Sequence, residues 1–179
     1  MYPFLRASRV LGRALVHRPS PALRSSCISM RVWPNDLDTN AHMNNGRYLT
    51  LMDLGRFDLM IQCGLAGLVL RQRWFPVAGG VMVRFERPLH ILEKITLKSS
   101  ICGWDNKWLY FRHDILTGNT RAARATARGL FRTRGKSVPT ADLLGAIQYT
   151  GPAIDPPPSI GQWIQADELM REENDSIES

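Results

Sequence analysis

The chain has 179 residues, the size of one domain with a real core, and its 44% apolar and 22% charged residues are an ordinary globular balance. No apolar run approaches the roughly 20 residues of a membrane-spanning helix, which argues against an integral helical membrane protein. Cys27, Cys63 and Cys102 stand far apart without CxxC spacing, which argues against a disulfide framework or thiolate zinc site and suits a reducing compartment.

The net charge of +7 is laid down in blocks. Residues 1–35 hold six arginines and no acid, and residues 36–120 are nearly balanced. Residues 121–140 hold six bases and no acid, and residues 141–179 hold one base and eight acids. Blocks of this kind point to partners at particular surfaces. The chain divides into a basic N-terminal arm (1–25), a main domain (26–138) and a C-terminal extension with an acidic tail (139–179).

In the arm, Phe4, Leu5, Val10, Leu11, Ala14 and Leu15 recur near the helical period, with Arg6, Arg9, Arg13 and Arg18 around the rest. Three readings fit: a helix lying on an anionic membrane surface, an Arg-rich organelle presequence, or a helix docked on its own domain. Pro19 and Pro21 end the segment. Ser26–Val32 reads as a strand closed by the Trp33-Pro34-Asn35-Asp36 turn. Arg47–Cys63 reads as a helix apolar around most of its surface, hence buried on more than one side, with Gly64 as its C-terminal stop. Residues 65–73 add a further turn or two. Strands are expected over Val81–Arg87, Ile91–Trp104, Lys107–Leu116 and Arg121–Arg134. In the last, Ala123, Ala125, Ala127 and Gly129 make a face so small that another backbone, the buried helix, is expected to approach closely. Short helices over Ala141–Ile147 and Ile160–Met170 follow, with an extended link between them and a disordered acidic end from Glu172. The order gives an α+β fold, a five-stranded antiparallel sheet wrapped around one long central helix.

The densest polar cluster, Asp36-Leu37-Asp38-Thr39-Asn40-Ala41-His42-Met43-Asn44-Asn45, stands immediately before that helix. A helix N-terminus stabilises a developing oxyanion, and a carboxylate beside it can serve as nucleophile or as base toward water, so attack on a carbonyl carbon is the reaction class indicated. The same residue types also serve plain backbone geometry: Asp36, Asn44 and Asn45 suit turns and helix caps, and His42 suits a buried hydrogen bond.

The string DLDTNAHMNNGRYLTLMDLGR resembles the opening motif of the hot-dog-fold acyl-CoA thioesterases, the 4-hydroxybenzoyl-CoA thioesterase-like group, with Asp38 and Tyr48 at the matching spacing. Asp38, Asn40, His42, Asn44 and Asn45 also match the D-x-N-x-H-x-N-N pattern of plant acyl-carrier-protein thioesterases. The resemblance covers about residues 26–134 and implies that the main domain is a hot dog hydrolysing acyl-CoA to free acid and CoA. It implies Asp38 as nucleophile or general base, Asn40 positioning the thioester or water, and His42 assisting. Asn44, Asn45, Tyr48, Gly80 and Arg84 are the expected substrate contacts. Arg87, Arg124, Arg128, Arg132 and Arg134 are further candidates for the phosphates of coenzyme A, against the alternative of a solvated strand face. The family implies a homodimer or dimer of dimers with an acyl tunnel beside the helix, where Met52 and Phe57 read as core rather than as lining.

No cofactor, metal site or nucleic-acid partner is expected. The histidines lack ligand spacing, and no recognition motif accompanies the basic blocks. Gly79-Gly80 reads as a bulge or a point of close substrate approach. His42 follows Asn40 by two residues rather than three, which disfavours the hot-dog hydratases. The alternative function is a non-catalytic hot-dog protein that binds acyl-CoA or a protein partner. The arm places the protein in the cytoplasm, in peripheral contact with a membrane, with a mitochondrial location as the alternative.

Overall fold

The computed structural model describes residues 4–16 and 25–177. The elements in order are α1 (Phe4–Val16), β1 (Ser26–Arg31), a 3-10 turn (Pro34–Asp36), α2 (Asn45–Gln62), α3 (Leu65–Gln72), β2 (Phe75–Phe85), β3 (Lys94–Trp104), β4 (Leu109–Thr117), β5 (Thr120–Thr133), β6 (Lys136–Val138), α4 (Thr140–Ala146) and α5 (Pro158–Ile177). The strands form one antiparallel sheet in the order β1-β3-β4-β5-β2, with short β6 added beside β5. The sheet curls around α2 in the hot-dog arrangement.

Helix α2 is capped at both ends as the sequence reads. The Asn44 side chain accepts the Gly46 N–H, and Gly64 takes the left-handed conformation (φ +77°) just past the end. Its burial is broad: Tyr48, Leu51, Met52, Leu54, Leu59, Met60 and Ile61 are all buried. Its closest approach is to β3, where a Cβ on Gly55 would overlap Ser99 Oγ and come within 2.8 Å of Leu97 Cδ2. The small face of β5 therefore does not receive the helix backbone, contrary to expectation. Ala123 and Ala125 instead leave room for large side chains, sharing one core cluster with Tyr48, Leu51 and Met52. Beneath the helix, fully buried Ser99 and His113 pair at 2.8 Å, and burial pushes the His113 imidazole down to about 3, so it is neutral.

Two strands depart from their expected bounds. β2 starts at Phe75, six residues before Val81, because an edge strand paired on one side only tolerates Pro76 and a bulge at Gly79. β3 starts at Lys94 because Leu92 turns into the left-handed region (φ +61°), with its N–H on the Val32 carbonyl.

Helices α1 and α5 both pack on the domain. In α1, Arg6 and Val10 are buried, so the docked-helix reading of the arm is the one observed, while residues 1–3 and 17–24, with Pro19 and Pro21, lie outside the described residues. α5 is longer than expected: the segment read as disordered is helical as far as Ile177, and residues 178–179 lie outside the described residues. The helix is anchored by buried Ile160 over Cys102 and Tyr110 on the outer face of the sheet. Arg128 of β5 lies between the rings of Trp108 and Trp163 (4.8 and 5.3 Å) and pairs with Asp167 at 2.5 Å. No Gly or Pro interrupts the helix after Gly161, so the acidic residues continue it.

The Gly55 contact generates a direct test. Gly55→Val forces α2 off β3 and is expected to cost about 1–3 kcal/mol in urea unfolding, the usual penalty for overpacking a filled site.

Candidate active site

The polar cluster folds into a tight loop closed by a bridge between Leu37 and Met43. The Asp38 N–H donates to the His42 carbonyl (2.8 Å) and the Ala41 N–H to the Asp38 carbonyl (3.1 Å), with Ala41 strained at φ +59°. Asp38 Oδ1 accepts the Asn40 N–H at 2.8 Å, and the side chain is only part-buried. Asn40 is exposed at the tip, and the His42 ring meets His90 edge-on at 4.9 Å. One turn thus carries all three expected catalytic residues, but no hydrogen bond joins their side chains among the described residues. The loop is held to the body by the Met43 N–H on the Leu89 carbonyl (2.8 Å) and the Asn44 N–H on the Asp36 carbonyl (2.9 Å).

Asp36 is the anchor beneath. Its carboxylate is fully buried and accepts hydrogen bonds from Arg6 (3.0 and 2.7 Å), Arg47 (2.8 and 3.0 Å) and the Trp33 N–H (2.8 Å). Burial alone would raise its pKa; these donors outweigh burial and hold the carboxyl below its ordinary 3.8. Arg6 also donates to the Arg31 carbonyl (2.6 Å) and stacks over Trp33 at 4.8 Å. Arm, β1, loop and helix are therefore tied at one point. The turn-and-cap reading of Asp36 was the sounder one, but two arginines remote in sequence complete it.

The expected substrate contacts separate. Asn44 is the helix cap, Asn45 is exposed on the first turn, and Tyr48 is buried edge-on against Phe85 at 5.1 Å, where burial pushes its hydroxyl pKa up. Gly80 lies at the bulge in β2, and what approaches this Gly-Gly pair is tryptophan: a Cβ on Gly79 would overlap Trp108, and one on Gly80 would come 3.1 Å from Trp163. Of the basic candidates, Arg87, Arg124 and Arg128 are paired with Glu93, Asp114 and Asp167. Arg132 donates to the Gly135 carbonyl, and Arg134 is exposed beside that turn. Arg84 is 83% exposed on β2, with a 3.9 Å contact to Glu86 as its ion pair among the described residues.

A cavity of about 170 Å³ opens between the second half of α2 and the start of β2. Its walls are Phe57, Met60, Val77, Phe111, Leu130 and Phe131, with the Asp53–Arg56 ion pair at one side. Phe57 lines this space, whereas Met52 is core. Sequence reasoning missed Asp53 and Arg56, although a charge pair three residues apart on so apolar a helix was a visible signal. Among the described residues, no group of three or more His, Cys, Asp or Glu side chains is placed to hold a metal ion.

Residues 32–164 match the Thioesterase-like superfamily, and the chain belongs to that family. It is 27% identical over 128 residues to Protein THEM6 of Drosophila melanogaster, covering 72% of this chain and 65% of that protein. It is 32% identical over 108 residues to Protein THEM6 of Danio rerio, covering 60% and 54%. The chain thus spans between half and two thirds of these relatives. Among solved structures, YbaW, a probable thioesterase from Escherichia coli, superposes with a TM-score of 0.63 at 17% identity, over 69% of this chain and 96% of that one. A 4-hydroxybenzoyl CoA thioesterase mutant complexed with 4-hydroxybenzoyl CoA superposes with a TM-score of 0.60 at 18% identity, over 68% and 97%. These likenesses show the hot-dog fold.

The Asp36 anchor has a measurable pH signature. Because its folded pKa lies below the unfolded value, the stability it contributes is present above about pH 3.8 and is lost as pH falls through the folded value. Arg6→Ala is expected to lower unfolding free energy by about 2–3 kcal/mol near neutral pH and to move the acid-unfolding midpoint to higher pH.

Proposed function

We propose that this chain hydrolyses acyl thioesters, acyl-CoA foremost, to free acid and CoA. The observation that carries this reading is the placement of Asp38 on a rigid turn directly before the N-terminus of α2, in a hot-dog chain of the thioesterase-like family. The Asp38 carboxylate adds to the thioester carbonyl, or takes a proton from a water that does so. The tetrahedral oxyanion is stabilised by the positive end of α2. Collapse breaks the C–S bond and expels the thiolate, which is protonated to free CoA. In the nucleophile route, water then hydrolyses the acyl–aspartyl anhydride and restores Asp38. Asn40 and His42 orient the thioester or water from the same turn. Exposed Arg84 is the basic residue best placed to meet a phosphate of coenzyme A.

The second reading, an acyl-CoA-binding hot dog without catalysis, draws on the hydrogen bond that commits Asp38 Oδ1 to the Asn40 N–H.

The site is proposed to be completed by a second copy. Edge strand β2 exposes Phe75, Val77, Val81, Met82 and Phe85, an unusual amount of apolar surface on an open edge. The Asp38 loop sits by the Phe85 end of β2, through Tyr48, while the cavity opens at the Pro76–Ala78 end. Ala78 to Phe85 spans about 23 Å at the rise of an extended strand, too far for one chain to serve both. Antiparallel pairing of two β2 strands about Val81 sets the cavity end of one protomer against the Asp38 end of its partner. A homodimer is the proposed unit, with a dimer of dimers as its larger form.

The docked arm turns Phe4, Leu5 and Leu11 outward, which supports peripheral contact with a membrane. The proposed location is the cytoplasmic side of that membrane, with the mitochondrion as the alternative.

Two measurements test the reading. Thiol release from a panel of short, long and aromatic acyl-CoAs is expected, and Asp38→Asn is expected to reduce kcat at least 100-fold with melting temperature unchanged; binding without release by the wild type would favour the second reading. Val81→Lys is expected to yield monomers in light scattering and to lose thiol release with them. Full activity in a monomer would overturn the shared site.

A further inference from the structure

On the edge of the sheet opposite β2, α1 and β1 enclose two adjoining spaces. One, of about 420 Å³, is lined by Arg6, Arg9, Arg31 and Lys94 with Trp33 and Ser29, and no carboxylate enters its wall. Arg31 and Lys94 are directly cross-strand partners. Arg6 shares the Asp36 carboxylate with Arg47 and Arg31 donates to the Leu92 carbonyl (2.9 Å), but Arg9, Arg31 and Lys94 form no ion pair among the described residues. Several cations lining one space without a carboxylate give it a positive potential that favours an anion. The second space, of about 180 Å³, shares Arg6, Arg9, Ser29 and Met30 with the first and continues against Val10, Ile28 and Leu54. A basic mouth leading into an apolar cleft fits an anionic amphiphile better than a free phosphate.

We propose that this groove is a binding site for the phosphate headgroup of an anionic phospholipid, with the first part of its acyl chain against Val10 and Leu54. The inference rests on the peripheral membrane contact proposed above and names the residues that make it specific. The groove is built jointly by the arm and by the body of the domain, and Arg6 holds its two walls together through Asp36. Phe4, Leu5 and Leu11 on the outward side of α1 supply the non-specific apolar contact beside it.

The test is co-sedimentation of the full chain with phosphatidylserine vesicles and with neutral phosphatidylcholine vesicles, at low and high salt. The double variant Arg9→Ala, Lys94→Ala leaves the Arg6–Asp36 pair in place. Wild type is expected to sediment with the anionic vesicles alone and to be released by salt, and the double variant to partition about 25-fold more weakly, about five-fold for each cation removed. Phe4→Ser, Leu5→Ser, Leu11→Ser is expected to weaken binding while leaving the salt dependence of what remains. Equal partitioning of wild type and the Arg9, Lys94 variant overturns the groove, and if the Phe4, Leu5, Leu11 variant alone fails to bind, peripheral contact stands without it. Displacement of the protein from vesicles by free CoA or inorganic phosphate at equal phosphate concentration assigns the groove to soluble phosphates and overturns the lipid assignment. Asp38→Asn is expected to bind vesicles as wild type does, so loss of the hydrolase reading and loss of this site are read separately.

Discussion

A single buried carboxylate organises the end of this molecule that carries the Asp38 loop. Asp36 receives two guanidinium groups and a backbone N–H in a site closed to solvent, and each donor comes from a different element. Removing a charge from water is costly, and it is tolerated because the partners are close and well aligned. Arg47 fixes the first turn of α2, Arg6 fixes the arm, and the Asp36 carbonyl receives the Asn44 N–H that begins the helix. Asp38, two residues away, is thereby held on a turn whose strain at Ala41 is supported from below.

The sheet has two edges with opposite properties. At the β1 edge, the arm covers the core and leaves a basic groove outside it. At the β2 edge, apolar side chains stand open beside the cavity. α5 covers the outer face between them through the Trp108–Arg128–Trp163 stack, leaving the β2 edge itself free for a second copy. The proposed lipid groove and the proposed dimer edge therefore lie at opposite edges of one sheet, and the Asp36–Arg6 pair ties the groove wall to the Asp38 loop.

Much of the fold was legible because its signals are local. The span of α2 follows from its apolar run, the Asn44 cap and Gly64, and the β3-β4-β5 order follows from hairpin turns at Asp105-Asn106 and Gly118-Asn119. The misjudged points are those where an element's neighbours decide. Pro76 and Gly79 look like strand breakers until β2 proves to be an edge. The alanines of β5 look like a seat for a backbone until α2 is found closer to β3. The acidic end looks disordered until Ile160 and Asp167 anchor its helix to the sheet.

By itself the sequence determined the hot-dog elements and the loop that carries Asp38, Asn40 and His42, since periodicity, caps and turns act over a few residues. Only the tertiary structure decided that Arg6 belongs to Asp36, that Phe57 lines a cavity while Met52 fills the core, and that Arg9, Arg31 and Lys94 meet in one groove. Those pairings join residues tens of positions apart, and neither charge nor hydrophobicity carries an address. The address comes from the curl of the sheet around its helix.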